Sequence, residues 1–202
     1  MGEAEFGHRM RTFVAVEVAE AGASGSTRST APTHLTLAFL GEIPRERVAG
    51  IVERLRPIGP QVPPFDLELS GVGAFPSPQA PRVVWIGVQQ GRTEVVALAH
   101  RVHEALRDEW TGSVPEEFVP HVTYFRVRSF EDRRAAYELL QGRRPAPPPR
   151  RAHVREFVLK ESVLGHGGAT HRTLATFPLT GGQGPPPTPP ADGRTSSPSG
   201  LP

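Results

Sequence analysis

Cysteine is absent from this 202-residue chain. That excludes disulfides, thiolate nucleophiles and cysteine-based zinc sites together. Lysine is nearly absent too: Lys160 is the only one, so almost all the positive charge is arginine. No run approaches the ~18 apolar residues that a membrane-spanning helix needs. The opening residues, MGEAEFGHRM, contain no apolar stretch of the kind a secretory signal requires. The expected location is the cytoplasm, with no membrane partner. The last stretch, GGQGPPPTPPADGRTSSPSGLP, has almost no apolar side chains to offset the entropy of ordering it. Residues 181–202 are therefore expected to be a disordered Pro/Gly-rich tail, residues 1–10 an extension, and residues 11–180 the folded domain.

What is present is an ordinary globular composition, 37% hydrophobic, with a formal charge of +2 and a pI near 9.6. Arginine forks grip phosphates in two-pronged fashion, which suits a nucleic-acid partner. Coding bias explains abundant arginine and proline equally well, so charge alone decides nothing.

Periodicity gives the elements. Thr12–Val18 alternates apolar and polar as a half-buried strand does, and His34–Leu40 and Phe65–Val72 read as strands too. Val48, Ile51, Val52 and Leu55 have helical spacing after Pro44. Arg82–Val88 is a buried strand by composition, Thr93–Trp110 an amphipathic helix, His121–Val127 a strand and Phe130–Gln141 a short helix. Val154–Leu164 and Thr170–Leu179 read as two closing strands around a Gly165–Gly168 turn.

The chain also repeats itself. Pro32-Thr33-His34-Leu35-Thr36-Leu37 matches Val119-Pro120-His121-Val122-Thr123-Tyr124, with the second His 87 residues after the first. Each copy is a strand followed by a helix, which implies two copies of one supersecondary unit. Side chains two apart on a strand share a face. His34 and Thr36 therefore project together, as do His121 and Thr123, while Leu35 and Val122 point into packing. Two imidazoles and two hydroxyls facing one cleft suit in-line displacement at a cyclic phosphodiester. One His deprotonates water, the other protonates the departing ribose oxygen, and the hydroxyls hold the non-bridging oxygens. A lone His-x-Thr is usually structural; its duplication in matched settings is the signal.

These paired motifs resemble those of the 2H phosphoesterase superfamily, and within it the RNA 2′,3′-cyclic phosphodiesterases, also called the 2′-5′ RNA ligase or LigT-like family. RTFVAVEV, HLTLAFLGEIP, GVGAFPSPQAPRVVWIGV, VPHVTYFRVR and FVLKESVLGHGGATHRTLATFPL carry the likeness in the family's order over most of residues 11–179. The resemblance implies an α+β, bilobal, pseudo-two-fold fold: two antiparallel sheets, helices outside, a central cleft. It implies hydrolysis of RNA 2′,3′-cyclic phosphate ends to 2′-phosphomonoesters by a monomer, without metal or cofactor. His34 carries over as proton donor and His121 as proton acceptor, with Thr36 and Thr123 binding phosphate and Arg126 a further RNA contact. A 2′-5′ RNA ligase, a small-nucleotide cyclic phosphodiesterase and a non-catalytic RNA-binding module are the alternatives. Two departures stand out. Only about sixteen small, polar residues separate the first strand from the first motif, where the family has a helix and a longer connection. His171 takes a place where an aromatic is commoner.

Other residues read less specifically. Phe75 enters a Pro-rich loop and is a candidate RNA contact; Trp85 reads as core. Arg82 and Arg128 read as solvated charges, His100 and His103 as surface histidines, Gly71-Val72-Gly73 as a turn, and His166-Gly167-Gly168 as a hairpin loop.

Overall fold

The alternating segments become strands in the computed structural model, which describes residues 9–18, 34–108, 118–165 and 168–182. In chain order the elements are β1 (Arg9–Glu17), β2 (His34–Pro44), α1 (Arg47–Leu55), a 3₁₀ turn (Arg56–Gln61), β3 (Phe65–Phe75), β4 (Val83–Gln90), α2 (Arg92–Ala105), β5 (His121–Arg126), α3 (Phe130–Leu140), β6 (Arg150–Val154), β7 (Glu156–Gly165) and β8 (Gly168–Pro178). They form two four-stranded antiparallel sheets, ordered β2-β1-β7-β8 and β5-β4-β3-β6. The linker 19–33, with its shortened connection, the hairpin tip at His166 and Gly167, and the tail from 183 lie outside the described residues.

One core serves both sheets. Ile51 and Leu55 of α1 and Val95, Leu98, Ala99 and Val102 of α2 pack with Val14, Val16, Leu35 and Leu159 from one sheet and Leu67, Ile86 and Val122 from the other. The third helix covers a smaller cluster, Val84, Ala136 and Leu139. It starts at a capping box in which Ser129 and Asp132 satisfy each other's backbone amides. All three helices thus lie on the faces opposite His34 and His121, as expected of helices outside a cleft. None of the described helices is long and apolar enough to cross a membrane.

Three segments depart from the sequence reading. β1 begins at Arg9, and Met10 is buried in the core, so the strand reaches into the segment read as an extension. Val154–Leu164, read as one strand, is two. β6 ends at Val154 against Phe65, and β7 opens two residues later, at Glu156, in the other sheet. Only Arg155 separates them, with no glycine or proline to mark the switch. β3 continues past Val72 to Phe75 because Gly71, at φ 74°, makes a bulge where a turn was expected.

Candidate active site

β2 and β5 are the outer strands of their sheets and lie beside each other, with Cα atoms within 8 Å. Leu35 and Val122 both point into the shared core. Their neighbours therefore project from the opposite side of both sheets, and His34, Thr36, His121 and Thr123, all half-buried, face a common cleft.

The duplication extends to the backbone. The β1–β2 register shifts between Val14 and Ala15, leaving Leu37 as the extra residue directly after Thr36. The β4–β5 register shifts between Val84 and Trp85, leaving Tyr124 extra directly after Thr123. A bulge resets the alternation of the strand beyond it. Arg126, three positions from Thr123, is thereby returned to the cleft face opposite Val83, where its charge reaches His121. Phe39, its counterpart in the first copy, returns to the cleft face beside Phe13 and is 56% exposed. The first bulge is held from behind: the His103 imidazole donates from Nε2 to the Leu37 carbonyl at 2.8 Å. His103 is thus a half-buried support of the motif strand, where the sequence suggested a surface histidine; its neighbour His100 is exposed.

Each catalytic candidate sits in an aromatic wall. The His34 ring lies 5.1 Å from Phe13 and 4.8 Å, edge to face, from His171. Beside them the Lys160 ammonium, almost buried, donates to the Glu17 carboxylate and, at 3.1 Å, to Thr173 Oγ1. Burial, then the charges of His171 and Lys160, push the His34 pKa down to about 4, against a smaller opposing pull from Glu17. On the other side, His121 packs edge-on against Phe75 at 4.9 Å and lies 6.0 Å from Trp85. Burial lowers its pKa; a backbone hydrogen bond opposes this, and Arg126 adds to it. That bond runs from His121 Nδ1 to the Val119 carbonyl at 2.8 Å. A carbonyl only accepts, so Nδ1 carries the proton and the neutral ring has its lone pair on Nε2.

Trp85, read as core, instead floors the cleft. Its indole lies over Gly73, where an added Cβ would come within 2.2 Å of the ring, so only glycine fits beneath it. Alternation on β4 is regular, with Val84, Ile86 and Val88 buried on the helix side and Trp85 opposite them. Hydrophobicity alone had suggested the reverse. Phe75 is half-buried against both Trp85 and His121. Arg82 and Arg128 are exposed. Among the described residues no group of three or more His, Asp and Glu side chains is placed to hold a metal.

Two open sheets meeting at their outer strands, each presenting one His-x-Thr to a shared cleft, define the two-histidine phosphoesterase class. The chain belongs to the 2′-5′ RNA ligase superfamily, whose model matches residues 8–164. It is 35% identical to the RNA 2′,3′-cyclic phosphodiesterase of Archaeoglobus fulgidus over 83% of this chain and 99% of that protein. It is 36% identical to the enzyme of the same name from Aeropyrum pernix over 70% of this chain and 78% of that one. Escherichia coli LigT, solved with NADP+, superposes with a TM-score of 0.61 at 26% identity, covering 86% of this chain and 99% of that one.

Proposed function

We propose that the chain hydrolyses RNA 2′,3′-cyclic phosphate ends to 2′-phosphomonoesters, with His121 as base and His34 as acid and without a metal ion. The observation that carries this reading is the matched pair of motifs on facing outer strands, identical down to the bulge after each threonine. The names of the relatives agree with it.

The chemistry follows from the protons. His121, held as the Nδ1–H tautomer, offers Nε2 to the attacking water and takes its proton. The water oxygen bonds to phosphorus as the bond to O3′ breaks, and protonated His34 delivers a proton to O3′. One water is consumed and a 2′-phosphomonoester with a free 3′-hydroxyl is released. Thr36 and Thr123 donate to the non-bridging oxygens as charge gathers there. In the free protein His34 is neutral at pH 7. The phosphodiester's negative charge raises the pKa of an adjacent imidazole, so substrate binding itself loads the acid. Arg126 and Phe75 flank His121, where they meet the phosphate and the base of the RNA end. With a 5′-hydroxyl in place of water as nucleophile, the same displacement would form a 2′-5′ phosphodiester as the bond to O3′ breaks and O3′ takes the His34 proton, which accounts for ligase chemistry in the superfamily's name without a second centre.

The test is product identity. RNA ending in a 2′,3′-cyclic phosphate should yield only the 2′-phosphate, and kcat/KM should be bell-shaped in pH, reporting one neutral and one protonated imidazole. A 3′-phosphate product would reverse the roles of the ribose oxygens and overturn the assignment. RNA bound without turnover would make the protein a binding module.

A further inference from the structure

In a flat sheet the outer strands β2 and β8, three spacings apart, would stand about 14 Å from each other. Yet His34 on β2 and His171 on β8 bring their ring centroids to 4.8 Å. The sheet curves enough for the two rings to meet across it, and His171 forms the far wall of the first half-site. Phe13 backs both rings at 5.1 Å, so the three rings touch mutually, with His171 edge-on to both of the others. The His171 position is set by register: it pairs with Ser162, two residues before Thr173, whose partner is Lys160.

We propose, resting on the assignment of His34 above, that His171 is a positioning residue for His34, packing its ring edge against that imidazole and, by its own protonation, setting the pH at which His34 takes up its proton. Two cationic imidazoles at this spacing repel strongly, so only one of them charges readily. His171 is the more exposed ring, its own pKa lowered by partial burial and by the Lys160 charge. Among the described residues the other charges at this wall are Lys160 on β7, which acts on both rings, and Glu17 on β1, which acts on His34. These two are bonded to each other, and Arg172, the next residue of β8, is paired with Glu161. His171 is therefore the titrating neighbour whose charge His34 must meet. Burial is the larger cause of the low His34 pKa and remains when His171 is replaced.

The experiment follows the imidazole C–H signals of the full chain by NMR through the acid range, in wild type, His171→Phe and His171→Gln. Both variants remove the titrating charge, and only the first keeps a ring. The His34 midpoint is expected to rise by about one unit in each. The limb of the cleavage profile that reports His34 should move up with it, and His171→Gln should additionally lose about tenfold in kcat through the lost ring edge. A His34 midpoint unmoved in both variants overturns the proposal. A rise in only one variant overturns it too, by tracing the change to packing and not to charge. Because the midpoint is read directly, an inactive protein whose His34 still shifts would refute the catalytic reading alone. An active protein whose His34 does not shift would refute this inference alone.

Discussion

The Lys160–Glu17 pair beneath the first half-site is lopsided, and that makes its two deletions unequal. The Lys160 side chain is 9% exposed and that of Glu17 46%. Replacing Glu17 by alanine leaves an ammonium in the sheet with Thr173 Oγ1 as its remaining protein acceptor of those two. Breaking a fully buried pair in this way costs about 3–5 kcal/mol, and the half-exposure of Glu17 reduces that to about 2–3 kcal/mol. Replacing Lys160 by methionine removes the buried charge itself and leaves a carboxylate that water can hydrate, so the change should stay within about 1 kcal/mol. Urea unfolding at neutral pH, with equal slopes, measures both. At about 2–4 °C per kcal/mol for a chain of this size, Glu17→Ala should lower Tm by roughly 4–12 °C. The double variant should return close to Lys160→Met. If Lys160→Met proves as costly as Glu17→Ala, burial asymmetry does not govern this pair and the reasoning fails.

His34 is held below its unfolded pKa, so it should make the fold sensitive to acid. An imidazole whose folded pKa is depressed contributes fully above pH 6.5, and that contribution is lost as pH falls through about 4. Denaturation across that window should show a loss of roughly 2–3 kcal/mol that His34→Gln abolishes; His121, also lowered, works in the same direction. His103→Ala should destabilise by about 1–3 kcal/mol, because the Leu37 carbonyl at the bulge loses its donor. It should also blunt activity at a distance from the chemistry. Gly73→Ala should dislodge the Trp85 indole, costing about 1–3 kcal/mol and altering tryptophan fluorescence. Arg126→Ala should raise KM for the RNA about ten- to 150-fold, the worth of one charge-assisted hydrogen bond, while leaving kcat nearly intact.

The repeated His-x-Thr was legible because strand alternation is a local rule, and alternation alone put Leu35 and Val122 in the core and the histidines opposite. The α+β class and the helices followed from period and punctuation in the same way. What the sequence withheld depends on pairing between distant segments. Arg126 shares the cleft face only through a bulge, and that bulge is visible only once β4 lies beside β5. Trp85 looked like core because it is large and apolar, yet Gly73 on the neighbouring strand makes the space for it on the other face. His171 reaches His34 only because the sheet curls, and His103 supports Leu37 from 66 residues away. The break after Val154 was hidden because adjacent residues continue the same apolar pattern into a different sheet.

The central claim is that two histidines on facing strands act together on a cyclic phosphodiester. Turnover of RNA carrying a 2′,3′-cyclic phosphate, measured in excess EDTA for wild type, His34→Ala and His121→Ala, tests it most directly. The account predicts steady turnover by wild type and a fall of about 10²–10⁴ in kcat for either variant, with RNA still bound. Undiminished turnover in either variant, or a wild type that needs added metal to work, would contradict it.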